Sequence, residues 1–93
     1  APGQERIEET RSAKWDTASW PAVDELVATN FPDKVVVLDL SGSGVGIMSA
    51  TIQTKITKIS DTPPLKGIRV DCIWTYKRGQ ITNTIETCRA PDQ

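Results

Sequence analysis

LKGIRVDCIWTYKRGQITNTIETCRAPD, residues 65–92, alternates apolar and polar side chains up to Lys77-Arg78-Gly79-Gln80, then alternates again on the way out. Period-two alternation interrupted by a glycine-bearing turn predicts an antiparallel β-hairpin. Ile68, Val70, Cys72, Trp74 and Tyr76 share one face of the incoming strand, and Arg69, Asp71, Ile73 and Thr75 share the other. Ile81 and Ile85 must join the first set. A two-residue turn at Arg78-Gly79 does this, setting Tyr76 opposite Ile81 and Cys72 opposite Ile85, with Gly79 supplying the positive φ. A three-residue turn would send both isoleucines to the polar face.

The same register separates the cysteines. Cys88 falls on the face opposite Cys72 and several residues from its level, whereas bridged cysteines need Cα atoms within about 7 Å. Two free thiols are expected; a disulfide would require a bulge in the outgoing strand.

Working outward from the hairpin, SDTPP (residues 60–64) reads as a turn, because two prolines do not fit a central strand. Residues 47–59 (IMSATIQTKITKI) alternate around Ile52, Thr54 and Ile56, as a strand with one wet face does. SGSGVG, residues 41–46, is a connection between this strand and the β-branched run KVVVLDL, residues 34–40. At the other end, residues 4–15 (QERIEETRSAKW) are rich in helix formers, with charges three and four apart as on a solvated helix face. The apolar stripe is thin: Ile7, Ala13 and Trp15. Residues 16–33 (DTASWPAVDELVATNFPD) predict a turn and a short second helix. Thr17 or Ser19 would cap it, Pro21 would stand in its first turn, and Val23, Leu26 and Val27 would form one face. The expected fold is therefore a single α+β domain over residues 1–93. A helix over 4–15 and a helical loop over 16–33 precede an antiparallel sheet of about four strands over 34–90, packed on the first helix.

Composition restricts the chemistry. Eleven basic and twelve acidic residues give a net charge of −1, with neither the basic face nor the high pI of a general nucleic-acid binder. The chain has no histidine. That removes Ser-His-Asp and Cys-His nucleophile systems, His-ligated zinc and the commonest general base near neutral pH. Two cysteines cannot fill a four-cysteine metal site. No paired Asp/Glu motif replaces these groups, so an enzyme is not expected, and no cofactor or metal is implied.

Three further patterns have ordinary readings. Gly42, Gly44 and Gly46 are spaced G-x-G-x-G and lead into a β pattern. A dinucleotide loop needs G-x-G-x-x-G leading into a helix. Asp33, Asp39, Asp61, Asp71 and Asp92 lack the spacing of a calcium loop. Trp15, Trp20 and Trp74 suit a small core better than a stacking platform, Trp74 most clearly. Ile73, on the face away from the expected core, is a candidate for contact with another subunit.

The order of elements and several short motifs resemble the soluble part of a type IV pilin-like protein, specifically a minor pilin or type II secretion pseudopilin. Gln4-Glu5-Arg6-Ile7-Glu8-Glu9-Thr10-Arg11 is similar to the "aqerlEelr" segment that follows the membrane-embedded half of the family's long helix. Ile68-Arg69-Val70-Asp71-Cys72-Ile73-Trp74 with Arg78-Gly79 resembles its "VtVtW…g" hairpin, and Thr87–Pro91 (TCRAP) its usual ending. The resemblance implies a non-catalytic structural subunit of the bacterial cell envelope. An apolar N-terminal helix upstream of Ala1 would anchor it in the cytoplasmic membrane, and this domain would be periplasmic or extracellular. Its partners would be other pilin or pseudopilin subunits. Glu5, Arg6, Glu8, Glu9 and Arg11 would then lie where the filament core meets its surface and pair across subunits. The alternative is an exported ligand-binding or adhesive domain using Trp15, Trp20 and the SGSGVG connection.

Overall fold

The computed structural model describes residues 2–18, 20–39, 47–76 and 79–92. A helix α1 (Pro2–Ser12) is followed by two short strands, β1 (Trp15–Asp16) and β2 (Val23–Asp24), and a single 3-10 turn at Ala28–Asn30. Four longer strands follow: β3 (Lys34–Asp39), β4 (Ile47–Asp61), β5 (Pro64–Tyr76) and β6 (Gly79–Arg89). They form one antiparallel sheet in the order β3-β4-β5-β6, while β1 and β2 pair as a separate ribbon. The α+β class and the four-stranded antiparallel sheet agree with the sequence reading.

The sheet is much longer than the helix. A strand of β4's fifteen residues spans about 50 Å, which accounts for the 53 Å long axis of the molecule. The eleven residues of α1 reach only about 16 Å. The helix therefore covers about a third of one sheet face, and the core is concentrated beneath it. Ile7, Trp15, Leu26 and Phe31 pack there on Ala50, Ile52, Ile68, Val70 and Cys72.

Helix α1 packs without an ordinary apolar stripe. Its buried residues are Gly3, Arg6, Ile7 and Thr10, spaced as one helical face. Gly3 lets the helix approach the sheet closely, since a Cβ there would lie 3.1 Å from Ile85 Cδ1. Thr10 satisfies its buried hydroxyl by donating to the Ile7 carbonyl at 2.6 Å. A small, a polar and a charged residue thus occupy a face that hydrophobic patterning reserves for apolar ones.

Residues 16–33 differ from expectation. Among the described residues there is no second α-helix, only the 3-10 turn at Ala28–Asn30; Trp15 pairs with Asp24 and Asp16 with Val23. Local bonds favour this arrangement. Asp16 Oδ1 accepts from the Ala18 amide and Asp24 Oδ1 from the Leu26 amide, both turn bonds that compete with helix formation. Lys66 then fixes the segment to β5, donating to Asp24 Oδ2 at 2.6 Å and to the Leu26 carbonyl at 2.7 Å. Its ammonium also lies 4.9 Å from the Trp15 ring centroid.

The closing hairpin keeps its expected faces but slides by two residues. Tyr76 pairs with Gly79, so the turn falls one residue earlier than predicted, and Trp74 pairs with Ile81 and Val70 with Ile85. Both registers place the isoleucines on the core side, so apolar patterning alone does not separate them. Cys88 stands opposite Gly67. Both cysteines are free, Cys72 buried and Cys88 exposed. The turn between β4 and β5 is tighter than residues 60–64, since the ladder continues to Asp61 and resumes at Pro64. The SGSGVG connection lies outside the described residues.

Candidate subunit-contact surface

Helix α1 points its acidic side outward. Glu5, Glu8 and Glu9 are exposed and, with Ser12, Ala13, Glu25, Asn30 and Phe31, line an open trough between the helix and the loop that follows β2. Four carboxylates meet in this trough. Glu9 accepts an ion pair from Arg6 at 3.4 Å, and Glu25 Oε2 accepts from the Lys14 amide at 3.4 Å. Arg11 is exposed on the neighbouring side of the helix. Of the residues expected at a subunit contact, Glu5, Glu8, Glu9 and Arg11 thus lie on one accessible helix surface.

Arg6 does not join them. It is 6% exposed and donates from Nη2 to the Pro32 carbonyl at 3.1 Å, with its guanidinium 5.9 Å from the Phe31 ring centroid. The helical repeat sets residue 6 beside residues 3, 7 and 10, facing the sheet. Arg6 holds the loop after the 3-10 turn against α1 and is not available to another subunit.

Ile73 is half-buried on the face of the sheet away from α1. It lies in a cross-strand row with Val35, Thr51 and Thr82. Val35 and Val37 are 63% and 62% exposed and extend the apolar character of this face to the β3 edge. Sequence reasoning missed them because KVVVLDL is apolar at consecutive positions and shows no alternation. Lower on the same face, Asp71 accepts from Thr84 Oγ1 at 2.7 Å and from Arg69 Nε at 3.2 Å. The Thr84 hydrogen bond first, then Arg69, holds its carboxyl below the ordinary value against the opposing effect of burial.

The two tryptophans of the alternative reading are separated. Trp15 is buried in the core under Lys66 and is not available for stacking on a ligand. Trp20 is 96% exposed, in the loop between β1 and β2. Trp74 packs against the core from its edge.

A second set of side chains, unsuspected from the sequence, locks the end of α1. Arg89 Nη1 donates to the Thr10 carbonyl at 2.9 Å and the Ala13 carbonyl at 2.5 Å, and Nη2 pairs with Asp92 at 2.5 Å. Asp92 Oδ2 in turn accepts from the Trp15 amide at 3.0 Å, and its own amide donates to the Trp15 carbonyl at 2.7 Å. These bonds, the Trp15 amide first and then Arg89, hold the Asp92 carboxyl below its usual value. The residues involved are about eighty positions apart, and no local signal connects them.

Among the described residues no helix is long and apolar enough to cross a membrane, and no group of His, Cys, Asp and Glu is arranged to hold a metal ion. No family model, curated protein or solved structure matches the chain.

Proposed function

We propose that this chain is the water-facing domain of a pilin-like structural subunit, in a type IV pilus or type II secretion pseudopilus of the bacterial cell envelope. It works by polymerisation and has no catalytic role. The observation that carries this reading is a charged helix laid against an antiparallel sheet, with Glu5, Glu8, Glu9 and Arg11 left accessible on its outer side. An apolar helix continuing upstream of Ala1 would anchor the subunit in the cytoplasmic membrane and pack with its neighbours in the filament. The acidic trough would then meet basic groups on the adjacent subunit. Exposed pairs of this kind contribute only ~0–1 kcal/mol each. They would set orientation between subunits, while the apolar helices supply most of the association energy.

The coding sequence upstream of Ala1 tests this directly. A cleavable prepilin leader followed by about 20 apolar residues is expected, long enough to span a bilayer. A native start at Ala1, or an ordinary secretory signal peptide, would overturn the proposal. In cells making the filament, replacing Glu5 and Glu8 together by Gln should lower incorporation of the subunit while changing its folded stability by no more than about 1 kcal/mol; Glu9 stays in place because it pairs with Arg6.

A further inference from the structure

The geometry points to a second copy of this chain as the partner of the β6 edge, joined to it as a two-fold antiparallel strand pair. This inference does not depend on the pilin-like reading. Among the described residues, strand β6 is the last of its sheet, with β5 on one side only. Residues 79–84 are all exposed, and Ile81 is 64% exposed. Folded proteins ordinarily blunt such an edge with charge, proline or a bulge. Residues 79–85 (GQITNTI) contain neither a charge nor a proline, and the β5–β6 ladder runs without a register shift.

The internal ladder decides which backbone groups are left over. Tyr76 and Gly79 face each other only three residues apart, which they can do only by hydrogen-bonding to one another. Alternation from that pair makes Trp74–Ile81 and Cys72–Asn83 hydrogen-bonded pairs as well. The outward-pointing N–H and C=O groups therefore belong to Gln80, Thr82, Thr84 and Glu86.

A two-fold axis through Asn83, perpendicular to the sheet, uses these groups. It sets Thr82 opposite Thr84 and Gln80 opposite Glu86 of the second copy, giving about eight inter-chain hydrogen bonds. Each charged Glu86 meets an uncharged glutamine. Between the bonded pairs, Asn83 meets its own symmetry mate and Ile81 meets Ile85. The last pairing is supported by a separate feature. Beside Ile85, between α1 and β6, lies a recess of about 400 Å³ lined by Gln4, Ile7, Glu8, Arg11 and Ile85. The exposed Ile81 of one copy is thus carried to the apolar part of this recess in the other. The contact is self-complementary, as a closed two-fold dimer requires.

Sedimentation of the purified chain at hundred-micromolar concentration should give twice the 10.2 kDa mass of one chain. Thr82→Pro removes an outward N–H but no β5–β6 hydrogen bond, so it should weaken the dimer at least about tenfold with the far-ultraviolet spectrum unchanged. Ile81→Lys is a second test, should the proline variant fail to fold. In a Cys72→Ala, Cys88→Ser background, which removes the thiol opposite position 83, Asn83→Cys should form an inter-chain disulfide under mild oxidation far faster than Ser12→Cys. A wild-type chain sedimenting at one mass, a dimer that survives both edge substitutions, or no preferential cross-link through position 83 would each overturn the inference.

Discussion

Removing the Arg89 side chain should loosen the helix from the sheet as well as weaken the domain. Arg89 is 12% exposed on its side chain and is the donor to two α1-end carbonyls, those of Thr10 and Ala13. Hydrogen bonds from a charged donor contribute about 1.5–3 kcal/mol each. Both carbonyls sit near a helix end and regain water when the side chain is gone. The ion pair to Asp92, whose carboxylate side is about half exposed, is screened by water and adds little. Arg89→Ala should therefore cost about 2–4 kcal/mol, out of roughly 5–14 kcal/mol for a domain of this size. At an unfolding entropy of ~0.2 kcal/mol/K, the midpoint should fall by about 10–20 °C. Arg89→Lys keeps a positive charge at the negative end of the helix dipole but loses the forked geometry, so it should recover about half. Thermal and urea unfolding followed by circular dichroism give the magnitude, and amide exchange over residues 10–15 shows whether the loss is local to the helix end. A cost below about 0.5 kcal/mol, the range of ordinary surface substitutions, would refute the reasoning.

Leu26→Ala should be among the costliest substitutions, about 2–5 kcal/mol by urea denaturation, because Leu26 is fully buried beneath the strap formed by Lys66. Trp20→Ala should change stability by no more than about 0.5 kcal/mol and remove the most solvent-shifted part of the tryptophan fluorescence, in keeping with an indole 96% exposed. The Asp71 and Asp92 carboxyls are both depressed in the folded chain, so the unfolded state binds protons more readily. Their stabilisation is fully present above the unfolded carboxylate value and is lost as pH falls through the lower folded values. Unfolding midpoints should decline from about pH 5 downward, and Asp71→Asn should flatten that decline.

Much of the architecture was legible because strands declare themselves locally. Alternation in residues 65–92 identified the hairpin and its buried face, and the isoleucines selected an even-residue turn. The turn expected at Arg78-Gly79 was wrong by one residue, since Tyr76 pairs with Gly79 and two registers satisfy the same apolar pattern. The helix was legible from propensity, but its buried face was not. Gly3, Arg6 and Thr10 do not look like core residues until a sheet is brought against them, and Arg6 consequently read as a surface charge. Residues 16–33 misread for a related reason. Val23, Leu26 and Val27 do share a helical spacing, but the aspartates at 16 and 24 form turn bonds, and Lys66 from a distant strand stabilises the extended form. The exposed Val35 and Val37 were hidden by a run that is apolar at every position.

What the sequence by itself determined is the class of fold, the faces of the central strands, the separation of the two thiols and the lack of histidine-based chemistry. These depend on periodicity and composition, which are properties of neighbouring residues. Tertiary structure alone decided that Arg6 and Trp15 are internal, that Arg89 and Asp92 hold the end of α1, and that residues 79–85 of β6 lie at a sheet edge. Each of these depends on which segments meet across tens of residues. Such meetings are set by the combined packing of helix, ribbon and sheet.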